Sequence, residues 1–264
     1  MSVLGVSVPG MSVLGRGLTA GLAVALSLTL GGCSGSEGPP PAAGDDGAVN
    51  GTASPSADGY DFAADPAKLP RDAAGARALA AVIAPDPAAL GDGFVAATPY
   101  ESDPGTWAVL DDACAWQREP LPDGVLSSLS RYAEAPGADG EPPVRVTLVV
   151  TVHASVESAD REVTTTLEEA LRCPDQQLGR GEYVTGLSSF GSAAGVRGQN
   201  SADDHVVETG QYTSDADGGP HPYTWAVDRI GSVIVGVSVR GPADEALATD
   251  ALAGMRSRVE EALG

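Results

Sequence analysis

Alternation of apolar and polar residues predicts the strands of this chain. From Val144 to His153, Val144, Val146, Leu148, Val150 and Val152 share one face, while the other face carries Arg145, Thr147, Thr151 and His153. A period of two residues is typical of a half-buried strand. Weaker patterns of the same kind predict strands from Glu182 to Phe190 and from His205 to Tyr212.

Two late segments predict an antiparallel hairpin. "PYTWAVDRI" and "SVIVGVSVR" flank Gly231, so we expect two strands that turn at Ile230 and Gly231. The second strand places four valines on one face, which we expect to lie in the core: Val233, Val235, Val237 and Val239.

Helical spacing predicts three helices. The first runs from Arg71 to Ala84, with an apolar stripe of Leu79, Val82 and Ile83, and Pro85 ends it. The second is capped by Ser158 and ends at Pro174, straight after Cys173, with a stripe of Val163, Leu167, Ala170 and Leu171.

The last helix is predicted to open at Gly241 and Pro242 and to continue through Leu263. Its apolar stripe is Leu247, Ala251, Leu252, Met255, Val259 and Leu263. The order of these elements predicts an α+β fold, a twisted antiparallel sheet with helices packed on one face. We expect a single folded domain over residues 66–264.

The first 32 residues have the features of a signal peptide. The apolar run from Leu18 to Leu30 has 13 residues, whereas a membrane-spanning helix needs about 20. Arg16 precedes the run and supplies the positive charge of a signal. "MSVLG" occurs at Met1 and again at Met11, which leaves two candidate translation starts, and Met11 gives the more compact signal.

The residues Leu30, Gly31, Gly32 and Cys33 resemble the lipobox of bacterial lipoproteins. The resemblance implies that the Cys33 thiol receives a diacylglyceryl group and that the signal is cut just before it. Two acyl chains anchor a protein stably in a membrane. We therefore predict a lipid-anchored protein that faces the extracytoplasmic side, the alternative being a secreted protein in which Cys33 is not acylated.

A tether is predicted between Cys33 and the folded domain, over residues 33–65. Up to Gly59 this segment has no aromatic residue and consists mainly of Gly, Pro, Ser, Ala and Asp. Such a composition buries too little apolar surface to offset the entropy of ordering.

Charge and cysteine content narrow the class of partner. The formal net charge of −21 disfavours nucleic acids and anionic lipid surfaces, because both bind positive charge. Cys114 and Cys173 remain once Cys33 is assigned to the anchor, and we predict that they form a disulfide. The alternative, a metal-binding or catalytic thiol, lacks a CxxC motif.

Candidate catalytic motifs are weak, and we predict no catalytic residue, metal or cofactor. "GLSSFG" at Gly186 to Gly191 lacks the second glycine of GxSxG. His153, His205 and His221 are far apart in the sequence. "SADDHVVE" offers Asp203, Asp204, His205 and Glu208 as oxygen or nitrogen ligands of a cation, but a solvated loop entering a strand is the favoured interpretation. A turn is favoured for "SDADGG", which contains Asp215 and Asp217.

The few aromatic residues have two interpretations. Trp107 and Trp116 bracket Cys114, and Tyr223 and Trp225 share one strand face. They line an apolar pocket in one interpretation. In the favoured one, they pack around the disulfide as part of the core.

Two stretches carry a resemblance to a known family. "TVHASVESADREVTTTLEEALRC", a strand feeding a helix that ends in cysteine, and "DRIGSVIVGVSVRG", followed by the last helix, resemble the PknH-like extracellular sensor domains of actinobacterial receptor kinases and lipoproteins. The resemblance implies a twisted sheet flanked by helices, with a cleft for an unidentified ligand, and it implies no catalytic residues.

Three hypotheses of function follow. We expect a membrane-anchored, non-catalytic sensing or ligand-binding domain whose partner is a small molecule or an envelope protein. The alternative is a protein-interaction or scaffolding lipoprotein without a small-molecule ligand, for which a broad apolar patch and no cavity would argue. An enzyme is third, and carboxylates with strongly shifted pKa values inside a cleft would favour it.

Overall fold

The computed structural model describes residues 60–137, 140–193, 201–244 and 246–264. In these ranges the helices are α1 (Ala73–Ile83), α2 (Val156–Arg172) and α3 (Ala246–Leu263). The strands are β1 (Val95–Glu101), β2 (Thr106–Leu110), β3 (Trp116–Pro120), β4 (Val125–Ala135), β5 (Val144–His153), β6 (Gln176–Gly179), β7 (Glu182–Ala193), β8 (Asp204–Ser214), β9 (Gly218–Ile230) and β10 (Val233–Arg240).

Eight of the described strands form one curled antiparallel sheet in the order β1-β4-β5-β10-β9-β8-β7-β6. The remaining two, β2 and β3, pair with each other as a separate hairpin. The predicted α+β class and antiparallel sheet are confirmed. The predicted hairpin is confirmed as well, since β9 and β10 pair across Gly231, whose φ of 58° suits a glycine in the turn.

The main hydrophobic core lies between one face of the sheet and helices α1 and α3. β5 and β10 pair in a register that places Val150 opposite Val235 and Leu148 opposite Val237. These side chains pack with Ile83 of α1 and with Leu252, Met255 and Val259 of α3. The four valines that the sequence assigns to the core are confirmed there.

Helix α2 lies on the opposite face of the sheet. Its residues Ala159 and Val163 pack against Val206, Val227 and Ile234, whose side chains point away from the main core. The expectation that all helices pack on one face is therefore corrected at α2. The physical reason is that β10 is buried on both faces, so that its second face also needs a covering element.

The predicted start and stripe of α2 need two corrections. The N-cap is Ser155, whose side chain accepts a hydrogen bond from the Ser158 backbone N–H at 3.2 Å, and the helix begins at Val156. The Ser158 side chain is engaged elsewhere, as described below. Leu171 is 84 % exposed, so the buried stripe ends at Ala170.

α1 and α3 also differ from prediction at their ends. α1 begins at Ala73, because Asp72 caps it by accepting from the Gly75 N–H at 2.8 Å. Val82 of its predicted stripe is exposed. α3 begins at Ala246, and Pro242 lies before the helix in a bend. Its predicted stripe is confirmed as buried or partly buried against the main core.

The folded domain extends N-terminally of the predicted boundary at residue 66. Tyr60, Phe62 and Ala64 pack against the main core, and the Tyr60 hydroxyl donates to Glu260 of α3 at 2.9 Å. Burial of these two aromatic rings removes apolar surface from water and stabilises the fold. The predicted signal peptide, Cys33 and most of the tether lie outside the described residues.

The predicted disulfide is confirmed between Cys114 and Cys173. It joins the turn of the β2–β3 hairpin to the C-terminal end of α2. Among the described helices, none has both the length and the apolar character that crossing a membrane requires.

Candidate functional site

A cleft of about 340 Å³ lies on the sheet face that α2 partly covers. Its floor is the sheet, and its walls are α2, β6 and the β2–β3 hairpin. We call it the α2-face cleft, and its lining consists of aromatic rings, hydroxyls, carboxylates and two guanidinium groups. The lining includes Trp107, Trp116, Arg118, Ser128, Ser130, Tyr132, Thr147, Val149, Thr151, Glu162, Glu169, Glu208, Tyr223, Trp225, Ser238 and Arg240.

The sheet floor of the cleft is organised as a row of paired residues, one from each strand. Strand pairing sets Tyr132 opposite Thr147, Thr147 opposite Ser238, Ser238 opposite Trp225, and Trp225 opposite Glu208. Directly paired side chains share a face, with Cβ atoms about 5 Å apart. The floor therefore runs from an aromatic ring through two hydroxyls to an indole and then a carboxylate.

The indole of Trp225 lies over the backbone of Gly236. A Cβ atom at position 236 would lie 2.5 Å from Cη2 of Trp225 and 2.9 Å from its Cζ2, closer than real atoms approach. Only glycine leaves room for the ring at this place. Gly236 thereby allows the indole to approach the sheet closely at the centre of the floor.

The β2–β3 hairpin is held as a wall of the cleft by the disulfide and by polar contacts. The Gln177 backbone N–H donates to the Cys114 carbonyl at 2.8 Å, and the Trp116 indole N–H donates to the Gln176 side chain at 2.7 Å. Arg172 donates to the Leu110 and Asp111 carbonyls. The tryptophans of the hairpin, Trp107 and Trp116, are thus fixed relative to α2 and β6.

Two carboxyl groups in the cleft have no basic partner within salt-bridge distance among the described residues. They are Glu208 on β8 and Glu169 on α2. Burial raises the pKa of Glu208 to about 7, and the hydroxyl of Ser189, which lies opposite Glu208 on β7, acts in the opposite direction. The residue is 6 % exposed, and its Oε1 atom has no hydrogen-bond partner among the described residues.

Glu169 is influenced by its acidic neighbours. Burial raises its pKa to about 7, and the charges of Glu208 and Glu162 act in the same direction, while Arg172 acts in the opposite one. Two like charges in one site disfavour simultaneous ionisation. The cleft therefore holds two carboxyl groups whose pKa values are raised toward neutral pH, mainly by burial.

The guanidinium groups of the cleft are engaged within the protein. Arg118 donates to the Thr106 hydroxyl at 2.9 Å and to the Thr106 and Ser128 carbonyls. Arg240 forms an ion pair with Glu182 at 3.1 Å, although its Nε atom has no acceptor among the described residues. The orphaned polar atoms of the cleft are thus one carboxylate oxygen and one guanidinium N–H.

His153 joins β5 to α2 beside the cleft. Its Nδ1 lies 3.0 Å from the Ser158 hydroxyl, and its Nε2 lies 2.6 Å from a Glu162 oxygen. A serine, a histidine and a carboxylate are the composition of a hydrolase triad. Ser158, however, is 7 % exposed, donates to the Gly124 carbonyl and does not line the cleft. These hydrogen bonds hold the connection between β5 and α2 in place.

The structure separates the residues that the sequence offers as cation ligands. Asp203 and Asp204 pair with Arg229, and His205 contacts Asp228 at 2.6 Å on the face of the main core. Glu208 faces the cleft instead. The predicted strand is confirmed, but the solvated loop is wrong for most of the segment, because β8 already begins at Asp204 and both Asp204 and Glu208 are buried. Within the described ranges, no three His, Cys, Asp or Glu side chains are grouped as metal ligands would be.

The structure also places the remaining residues that the sequence offers as candidates. The three histidines lie apart, and His221 contacts only the Asp217 carbonyl at 3.4 Å among the described residues. Asp215 to Asp217 form the predicted turn, and Asp217 pairs with Arg145. "GLSSFG" lies within β7 rather than at a strand-to-helix turn.

The aromatic residues take the interpretation that the sequence favours less. Trp107, Trp116, Tyr223 and Trp225 all line the cleft, as the pocket interpretation expects, although Tyr223 is also buried in a small apolar cluster with Val184, Leu187 and Tyr212. Trp225 also contacts the apolar cluster beneath α2. Pairing of Tyr223 and Trp225 on one strand face is the signal that indicates the pocket. Glu169 and Arg240 carry no such signal, because charged residues usually face solvent.

Comparison with known proteins gives a low-identity neighbour. No protein-family model matches the chain, and no curated protein matches it. Among solved structures, it is similar to the extracellular domain of PknH from Mycobacterium tuberculosis, with 11 % identity and a TM-score of 0.44. The alignment covers 69 % of this chain and 95 % of that chain. The chain has a weak resemblance to that domain.

Proposed function

We propose that the protein is an extracytoplasmic lipoprotein whose described domain binds a small ligand without transforming it, as a sensing or ligand-binding module. The observation that carries this proposal is the α2-face cleft. Small-molecule sites are concave, mostly apolar and supplied with a few convergent polar groups. The cleft has that composition, and its volume of about 340 Å³ lies at the lower end of the usual range.

The orphaned polar atoms support a ligand rather than a purely structural role for the cleft. A buried polar atom without a partner costs free energy unless something satisfies it. Glu208 Oε1 and Arg240 Nε both lack a partner among the described residues, and both residues line the cleft. A ligand that supplies a donor and an acceptor would satisfy them.

Native mass spectrometry of the full chain, produced in an actinobacterial host, tests ligand binding. We expect extra mass that disappears on denaturation, and the mass of the released species identifies the ligand class. The matched variant is Ser238→Phe, which fills the floor of the cleft, whereas Val82→Phe adds the same kind of bulk at an exposed position on α1. Loss of the adduct in both variants, or in neither, would contradict binding in the cleft.

The location is proposed on separate grounds. The lipobox at Leu30 to Cys33 and the apolar run before it favour export and acylation, and a disulfide persists in oxidising compartments. We expect the protein in the membrane fraction and the Cys33→Ser variant outside it. A membrane fraction that retains the variant fully would contradict the anchor at Cys33.

An enzyme is the second candidate, and the carboxyl pair favours it. A carboxyl group with a pKa near 7 can serve as a general acid or base at neutral pH. Glu169 and Glu208 both meet that condition inside one cleft. The mass of the species released from the native protein separates the two cases. A binding protein releases its ligand with an unchanged mass. An enzyme converts the ligand, and we expect Glu208→Gln to stop that conversion.

A further inference from the structure

The two unpaired carboxyl groups of the cleft indicate the charge of its ligand. Each guanidinium group of the lining is already engaged, Arg240 with Glu182 and Arg118 with hydroxyl and carbonyl oxygens. Glu169 and Glu208 appear in no ion pair among the described residues. The cleft therefore holds two carboxyl groups that no basic residue among the described ones neutralises, and a positively charged ligand would neutralise them.

The aromatic floor indicates what accompanies that charge. Trp225 lies opposite Glu208 in the cross-strand row, and its ring lies over Gly236. The face of an indole attracts a cation within about 6 Å and also packs against an apolar or aromatic body. A carboxylate next to an indole that lines the cleft is a suitable environment for an ammonium group.

We infer that the α2-face cleft binds a small organic cation, an ammonium group carried on an apolar or aromatic body, and this rests on the proposed binding function. The ammonium group lies against Glu208 and Glu169, and the body stacks on Trp225. The Arg240 N–H at Nε meets an oxygen atom of the same ligand. The protein's net charge of −21 further concentrates cations near its surface.

A neutral polyol fits the cleft less well. Its hydroxyls could hydrogen-bond to the carboxyl groups, but they would leave the repulsion between Glu169 and Glu208 in place. An ammonium group offsets that repulsion with its own charge and is attracted by the face of the indole. Charge, rather than hydrogen-bonding capacity alone, distinguishes the two ligand classes.

Matched probes test the inference. Phenethylamine and 2-phenylethanol differ in a single polar group, and benzyltrimethylammonium carries a charge without N–H donors. Fluorescence of the full chain reports binding, because all three tryptophans of the sequence, Trp107, Trp116 and Trp225, line the cleft. At pH 8 we expect the amine to bind at least roughly tenfold more tightly than the alcohol.

Variants assign the charge effect to its residues. Glu208→Gln and Glu169→Gln are each expected to weaken phenethylamine binding roughly tenfold and to leave 2-phenylethanol unchanged. Glu168→Gln, on the exposed side of α2 next to Glu169, is the matched control and should change neither. A melting curve of each variant shows that the fold is intact, since the Gln substitutions remove charge and little volume.

The affinity for the amine should also fall as the pH is lowered from 8 to 6, because protonation removes the carboxylate charge. The charged and titratable groups that face the pair are Glu162, which contacts His153, Arg172 at the end of α2, Tyr223 on β9 and Arg240 on β10. Glu208→Gln and Glu169→Gln should each flatten this pH dependence. Equal affinity of amine and alcohol, or an unchanged affinity in both variants, would overturn the inference.

The outcomes separate this inference from the proposed function. A native adduct that proves neutral, or displacement of the adduct by a saccharide and not by phenethylamine, overturns the cation and leaves the binding domain standing. Absence of an adduct, together with no fluorescence response to any probe, overturns both.

Discussion

The two faces of the sheet have the same strands but opposite chemistry. On the α1/α3 face, the even-numbered residues of β5 and the odd-numbered residues of β10 are valines and a leucine that pack into the main core. On the α2 face, the alternate positions include Thr147, Thr151, Ser238 and Arg240, which line the cleft together with Val149. The first face holds the main core, and the second holds the cleft that we propose to bind a ligand.

This division explains why polar side chains are tolerated in the middle of a buried sheet. Three of the α2-face hydroxyls have polar partners: the Ser128 and Thr151 hydroxyls lie 3.3 Å apart, and the Ser130 hydroxyl lies 3.4 Å from an Arg118 nitrogen. Satisfied polar groups cost little on burial. The main core supplies the apolar burial that the cleft face lacks.

The largest expected effect concerns the wall that separates the cleft from solvent. Replacing both cysteines, Cys114→Ser with Cys173→Ser, opens a loop with a sequence separation of 59 residues. We expect a loss of about 4 kcal/mol in the free energy of unfolding. Chemical denaturation measures the loss, and an unchanged midpoint would mean that the polar contacts alone hold the hairpin.

Substitutions of two neighbouring residues of β5 compare how much each face of the sheet contributes to stability. Leu148→Ala on the core face leaves a cavity, and we expect a loss of about 3 kcal/mol in the free energy of unfolding. Val149→Ala removes a partly buried side chain from the cleft face and should cost about 1 kcal/mol or less. Equal losses in urea denaturation would contradict the division of roles.

The raised pKa of Glu208 predicts that the free energy of unfolding depends on pH. Because the folded-state pKa of Glu208 is raised, the folded protein binds the proton more tightly than the unfolded chain between about pH 4.5 and 7. Stability is therefore expected to fall as the pH rises through that window. Glu208→Gln should stabilise the ligand-free protein at pH 8 by on the order of 2 kcal/mol and have little effect at pH 4.5.

Thermal melting at the two pH values measures this prediction. Glu168→Gln is the control, because its side chain is exposed on α2. A stabilisation by Glu208→Gln that is the same at both pH values would show that the carboxyl group is not titrating in the cleft.

The smallest effects come from two glycines. Gly236→Ala displaces the Trp225 ring from the floor and should destabilise the protein by about 1 kcal/mol while shifting tryptophan fluorescence. Gly254→Ala, within α3 and with open space around it, should stabilise the protein by about 0.5 to 1 kcal/mol. Stabilisation by both substitutions in thermal melts would contradict the close approach of the Trp225 ring to Gly236.

Strands with one apolar face could be predicted from the sequence. β5 and the β9–β10 hairpin follow from their alternating valines, and the hairpin turn follows from Gly231. β4 gives no such signal, because Ser127, Ser128 and Ser130 are all buried in it. A strand with buried serines resembles a loop in composition, and its hydrogen bonds come from partners distant in the sequence.

The position of α2 was beyond prediction for a related reason. Its amphipathic pattern predicts a helix with one buried face but does not select the face of the sheet that it covers. Spacing alone places Leu171 in the stripe, yet its side chain is 84 % exposed beside the buried Ala170. Ser158 has the residue type of a cap, but Ser155 lies closer to the end of β5.

The site could be predicted only in part. The pairing of Tyr223 and Trp225 on one strand face indicates a pocket, and the sequence does include Glu208 among its candidate residues. Its role depends on strand pairing with Trp225, which turns it away from Asp203 and His205. The pair with Glu169 requires the folded position of α2.

Ligand recognition on the α2 face is tested by NMR of the full chain labelled uniformly with 15N. Its spectrum contains three indole Nε1–H signals, from Trp107, Trp116 and Trp225, all of which line the cleft, together with the backbone amides of α1 and α3. We predict that low-molecular-weight envelope extract shifts the indole signals, and that the shifts weaken in Glu208→Gln at pH 8. Unmoved indole signals, with the bound ligand instead shifting backbone amides of α1 or α3, would contradict it.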